Sequence, residues 1–158
     1  MRKSIGWVLL FVGFNLFFAC NSEQQSAAQQ SASITKKIIV YKSPTCTCCT
    51  AWEEHMRNAG FEVESIAQRN ITQVKVDNGI PLELQSCHTA FVGDYIIEGH
   101  VPAKDVIRLL EEKPDIKGLT APGMPQNSPG MQPEGLRPQG YDVLAFDELG
   151  NTSVFSAY

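Results

Sequence analysis

Three observations predict an α/β fold. A short β-branched run, a helical stretch ended by glycine and an alternating strand follow one another between Lys37 and Ala67. Two later pairs of apolar runs are each split by a turn signal, at Gly93-Asp94 and at "DELGN". Between those pairs lies one more segment of helical periodicity. The chain has 158 residues, enough for one compact domain with flanking segments.

Taken in order, Ile38 to Tyr41 reads as a buried strand, broken by Ser43-Pro44. From Cys49 to Ala59, Trp52, Met56 and Ala59 recur at helical spacing, and "NAG" ends the helix. "FEVESIA" alternates as a strand, so the unit is most simply βαβ with parallel strands. A short helix from about Thr72 ends at Asn78-Gly79. "TAFVGDYIIEG" predicts a hairpin, and Val106, Leu109 and Leu110 after Pro102 predict a helix. Residues 118–140 are rich in Gly, Pro and Met and read as a loop, too rich in proline for helix or interior strand. "YDVLAF" and "TSVFSAY" form a second, C-terminal hairpin. The order βαβ, helix, hairpin, helix is that of a thioredoxin-like domain, here with a Gly/Pro/Met-rich loop and an extra hairpin added behind it.

Four cysteines fall within this domain, three of them in "SPTCTCC". Cys46, Cys48 and Cys49 close no useful loop with one another, so they are poor structural staples. Cys46 and Cys49 form a C-x-x-C at the start of a helix, where N–H groups and the helix dipole favour a thiolate. A redox pair is the reading that context supports. The thioredoxin-like order places "SCHTA", with Cys87 and His88, just before the hairpin and facing the C-x-x-C, where a cis-proline segment ordinarily stands. The second hairpin strand returns toward that rim and ends in "EGHVP", which brings His100 to it. His55 lies two helical turns beyond Cys48, about 10 Å along the axis.

Cys46, Cys48, Cys49, Cys87, His88 and His100 are therefore the candidate metal ligands. Clustered thiolates favour Cu(I), zinc or iron–sulfur chemistry. A single tetrahedral zinc prefers two separated cysteine pairs, which the adjacent Cys48 and Cys49 do not supply. Thiolates packed this tightly suit bridging between several Cu(I) ions. Met124 and Met131 are further soft groups in the loop. The plainer alternatives remain a thiol–disulfide pair with a spare thiol, and a structural disulfide from Cys87 to the turn.

The N-terminus reads as a targeting segment. Arg2 and Lys3 precede an apolar stretch from Ile5 to Ala19, the length of a signal core and short for a membrane span. Ala19-Cys20 then resembles a bacterial lipobox, with Phe17 where leucine is usual, so Cys20 is the candidate lipidation site. The alternatives are an ordinary signal peptide cut near Ala19 or later, and an uncleaved anchor. The expected organisation is a signal segment over 1–19, a lipid-anchored Gln/Ser/Ala-rich linker over 20–33 and the metal-binding domain over 34–158. The expected location is the bacterial cell envelope, facing the periplasm, where disulfides persist. The net charge of −4 gives no electrostatic footprint for nucleic acid.

From about residue 37 to 158 the chain resembles the CopG family of periplasmic copper-associated proteins. The resemblance is carried by "YKSPTCTCC", Trp52 and His55 in "AWEEHM", "SCHTA", "EGHVPA", "PGMP", "SPGM" and "YDVL". Thr47 stands where that family leads one to expect glycine. The resemblance implies a thioredoxin-like fold and copper held by the four cysteines and His88. It also implies a role in handling toxic copper through Cu(I)/Cu(II) interconversion, in company with other envelope copper-handling proteins. Competing readings are an exported thiol–disulfide oxidoreductase and a zinc-stabilised module.

Overall fold

Lys37–Lys42 (β1) and Glu62–Ala67 (β2) pair in parallel across helix α1, Thr47–Asn58. The computed structural model describes residues 36–158. The signal segment, Cys20 and the linker lie outside the described residues. Helix α2, Ile71–Asp77, and a 3-10 turn, Leu82–Leu84, lead into the hairpin of β3, His88–Val92, and β4, Tyr95–Gly99. Helix α3, Ala103–Glu112, follows. Then come β5, Gly118–Ala121, β6, Asp142–Phe146, and β7, Thr152–Ala157. The result is a mixed α/β fold with one seven-stranded sheet in the order β2-β1-β3-β4-β5-β6-β7. Among the described residues no helix is long and apolar enough to cross a membrane.

Alternation along the strands sorts the core into two layers. Ile38, Val40, Ala90, Val92, Ile97, Val143 and Ala145 pack in one cluster with Trp52 and Met56 of α1 and Val106 and Leu109 of α3. Ile96 and Phe146, one residue out of phase, join Ile80 and Leu84 from the α2 side in a second cluster. Each helix buries only one stripe; in α1 it is Cys49, Trp52, Glu53 and Met56, the spacing of one helical face. The C-terminal hairpin is tied to α3 through Asp105, which accepts from Ser156 Oγ at 2.7 Å and Tyr158 Oη at 2.6 Å.

One expectation needs correction. Residues 118–140 are not wholly a loop: Gly118–Ala121 is an interior strand, parallel to β4 and antiparallel to β6. Its four residues are all buried and contain no proline; Pro122 ends the strand rather than preventing it. The proline content of the wider window concealed a short strand at its front.

The remainder of that segment folds back onto α1. Gly130 has φ +83° and lies so close to the helix that a Cβ there would sit 2.6 Å from the Cys48 carbonyl oxygen and 2.7 Å from Trp52 N. No L side chain suits that backbone or fits that gap. Gly99 (φ +72°) plays a similar part, letting the end of β4 pass against Ser86 and Ala121. Gly130→Ala is expected to destabilise the fold by about 2 kcal/mol or more, from left-handed backbone strain plus overlap with α1. Urea denaturation of the metal-free protein measures this, and an unchanged midpoint would mean that the loop is not seated on α1.

Candidate metal centre

Cys46 ends the turn after β1 and is the N-cap of α1; its Sγ accepts from Cys49 N at 3.3 Å. Residues three apart at a helix start share a face, and Cys46 and Cys49 are joined as a disulfide. Cys48 and Cys87 are free thiols, both half-buried, while Cys49 is fully buried. Cys48 Sγ lies 3.5 Å from Cys46 Sγ.

Cys87 arrives from the other side. Antiparallel pairing of β1 with β3 sets Lys42 opposite His88, so the cysteine turn and "SCH" meet at one end of the sheet. Cys49 Sγ and Cys87 Sγ stand 3.5 Å apart. The four cysteine sulfurs lie within 4.8 Å of one another. Cys87, His88 and His100 form a second group that meets the same limit. Cys87 Sγ is 3.4 Å from His88 Nδ1 and 3.0 Å from His100 Nε2, which makes Cys87 the residue common to both groups. The structure thus brings together all six residues expected from the sequence.

The supports of this arrangement were mostly invisible in the sequence. His100 Nδ1 donates to the Pro129 carbonyl at 2.8 Å, which leaves Nε2 as the lone-pair nitrogen facing Cys87. His88 is fully buried with its ring 4.4 Å from that of Trp52, and its Nε2 has no hydrogen-bond partner. Trp52 is pinned in turn, donating from Nε1 to the Val101 carbonyl at 2.8 Å. Behind Cys87, Ser86 N donates to Glu98 Oε1 at 2.6 Å, and Thr89 Oγ1 donates to Glu98 Oε2 at 2.7 Å. The buried Lys75 ammonium donates to Thr89 Oγ1 at 2.9 Å and bonds Glu98 as well. On the α1 side, Lys42 pairs with buried Glu53 at 3.6 Å. A charged residue inside the apolar "YIIEG" was the one available signal, since a buried carboxylate needs partners.

His55 has another task. Its Nε2 accepts from Ala103 N at 3.1 Å, capping α3, and its Nδ1 faces Glu134 at 3.2 Å. Met124 is exposed and follows Gly123, whose N–H donates to the Gln85 carbonyl at 3.0 Å beside the Cys87 turn. Met131 follows Gly130 and is half-buried.

Burial dominates the electrostatics. It pushes the Cys87 thiol up to about 12, with proximity to Cys48 adding to the shift. It holds His88 well below the ordinary imidazole range, helped by His100, Lys75 and Lys42. It lowers His100 as well, against the pull of the Pro129 carbonyl. Burial likewise pushes the Glu98 carboxyl up, and Lys75, Thr89 and Ser86 draw it back. The centre therefore presents neutral imidazoles, which are the ligand form. Its donors are soft sulfur and borderline nitrogen, a set that fits copper and zinc better than oxygen-seeking ions.

Residues 84–131, which include Cys87, His88 and His100, match the family model described as a protein of unknown function, DUF411. No curated protein matches the chain. Among solved structures, one form of the copper resistance protein CopG superposes with a TM-score of 0.71 at 36% identity, over 78% of this chain and 98% of that one. A second form gives 0.72 at 35% identity over the same shares. With such identity over almost the whole length of that protein, the chain belongs to the family of the copper resistance protein CopG.

Proposed function

We propose that this protein binds Cu(I) in the cell envelope through Cys46, Cys48, Cys49, Cys87 and His88, with His100 as a further ligand. The observation that carries the reading is the convergence of four cysteine sulfurs within 4.8 Å. Sulfurs that close serve several Cu(I) ions better than one, because a thiolate can bridge neighbouring ions. His88 closes the set on its buried side. The front of the fold, β1-α1-β2 followed by β3-β4 and α3, is read as thioredoxin-like. The role is copper resistance, extending to silver as a similarly soft ion.

The Cys46–Cys49 disulfide couples the metal chemistry to redox. Its reduction takes two electrons and two protons and completes the four-thiol set. In the opposite direction, two thiolates joining as a disulfide release two electrons, enough to convert two Cu(II) to two Cu(I). The N-terminal segment is read as an export signal with lipidation at Cys20, which would tether the domain to a membrane on the periplasmic side. Other copper-handling proteins of the envelope are the expected partners.

A second reading rests on a specific feature: a disulfide at a helix N-terminus with half-exposed Cys46 as the outer sulfur. That is the arrangement of a thiol–disulfide oxidoreductase. A zinc-stabilised module is weaker, since Cys48 and Cys49 are adjacent.

Anaerobic titration of the fully reduced chain is expected to give more than one Cu(I) per chain, with fewer after Cys87→Ser. A single equivalent unaffected by Cys87→Ser would sink the reading. Because the folded Cys87 thiol is protonated at neutral pH and the thiolate is the ligand, Cu(I) binding releases protons. Affinity should therefore rise from pH 6 to pH 8, by about tenfold per pH unit for each proton released; a flat profile in competition with a pH-independent chelator would contradict it. Metal-free protein is expected to reduce insulin poorly; robust turnover would favour the oxidoreductase.

A further inference from the structure

We infer that the disulfide form has its own metal site, a one-thiolate, two-imidazole pocket of Cys87, His88 and His100 that takes a single divalent ion such as Cu(II). This deepens the copper reading and rests on it only for the identity of the ion. Once Cys46 and Cys49 are joined, two free thiols remain among the described residues, Cys48 and Cys87. They are not equivalent. The sulfur of Cys48 has Cys46 Sγ beside it at 3.5 Å, whereas Cys87 Sγ has two imidazole nitrogens at 3.0 and 3.4 Å. The three donor atoms of Cys87, His88 and His100 already lie within 4.8 Å of one another.

The change of donor set changes the ion preferred. Four thiolates are soft and suit Cu(I); one thiolate with two imidazoles is borderline and suits Cu(II), Zn(II) or Co(II), with Cu(II) highest in the affinity order. Both imidazoles are fully buried, so neither must be withdrawn from bulk water to bind. His100 is held in a defined tautomer by the Pro129 carbonyl, with Nε2 toward Cys87. His88 turns Nδ1 toward Cys87 at 3.4 Å, and its buried Nε2 has no hydrogen-bond partner among the described residues, so no contact with the protein competes for that ring. Binding breaks the Cys87 S–H bond, forms a metal–sulfur bond and releases one proton; no electron moves. Disulfide formation at the turn thus does not empty the centre. It shifts the centre from several monovalent ions to one divalent ion.

Co(II) tests this, because it does not oxidise thiols and a thiolate-to-cobalt charge-transfer band reports its bond to sulfur. The full chain, oxidised until alkylation finds Cys48 and Cys87 as the only free thiols apart from Cys20, should bind one Co(II) with that band. Cys87→Ser should remove the band, and Cys48→Ser should not. His88→Gln and His100→Gln should each weaken binding by about tenfold or more, with circular dichroism confirming that both variants fold. Absence of a thiolate band in the disulfide form would overturn the inference. So would a band that follows Cys48, or full affinity in both folded histidine variants. The Cu(I) titration of reduced protein is independent of this result: loss of multiple Cu(I) binding with the cobalt site intact removes the cluster reading alone, and the reverse removes this one alone.

Discussion

Antiparallel pairing of β1 with β3 is the contact on which the centre depends, because it closes with Lys42 opposite His88. The cysteine turn leaves β1 just beyond that pair, and Cys87 precedes it on the other strand. Register is strict in a sheet: a slip of one residue sends every side chain to the opposite face. His88 shares its face with Ala90 and Val92, where α1 and Trp52 pack. Thr89 points the other way, to Lys75 of α2. A shifted register would exchange them, putting a hydroxyl beside the cysteines and an imidazole beside a buried ammonium.

Two buried ion pairs flank this contact, one on each face: Lys42–Glu53 beneath the cysteine turn and Lys75–Glu98 beneath Cys87. Such pairs contribute little net stability, because desolvation offsets most of the attraction. Geometry is the better account of them here. Glu98 accepts from the Ser86 N–H, the peptide next to Cys87, and so fixes where that residue enters the centre. The 118–140 segment steadies the opposite side. Gly130 lets it lie against α1, and the Pro129 carbonyl then reaches His100.

Much of the fold was legible because its signals are local. The βαβ unit, both hairpins and α3 follow from periodicity and turn residues, and their observed bounds agree with the reading to within a few residues. Strand β5 was not legible: four residues are too few for a periodic signal, and the prolines after them dominated the window. The ligands were legible as types and spacings, but their supports were not. Glu98, Lys75, Trp52 and the Pro129 carbonyl act through contacts between segments far apart in the chain. His55, which helical spacing already set about 10 Å from the cysteines, proves to cap α3 through Ala103 N, a role that no local signal showed.

By itself, the sequence determined which groups are available: three cysteines at a helix start, a Cys-His pair before a hairpin and a histidine after it. These follow from composition and short-range periodicity, which need no tertiary context. Only the tertiary structure decided how the donors divide. Cys46 bonds Cys49, Cys87 stands between the sulfurs and the imidazoles, and a carbonyl from a distant loop orients His100. The reason is physical: a hydrogen bond or sulfur contact depends on position to within a fraction of an ångström, and that precision comes from packing the sheet, helix and loop together.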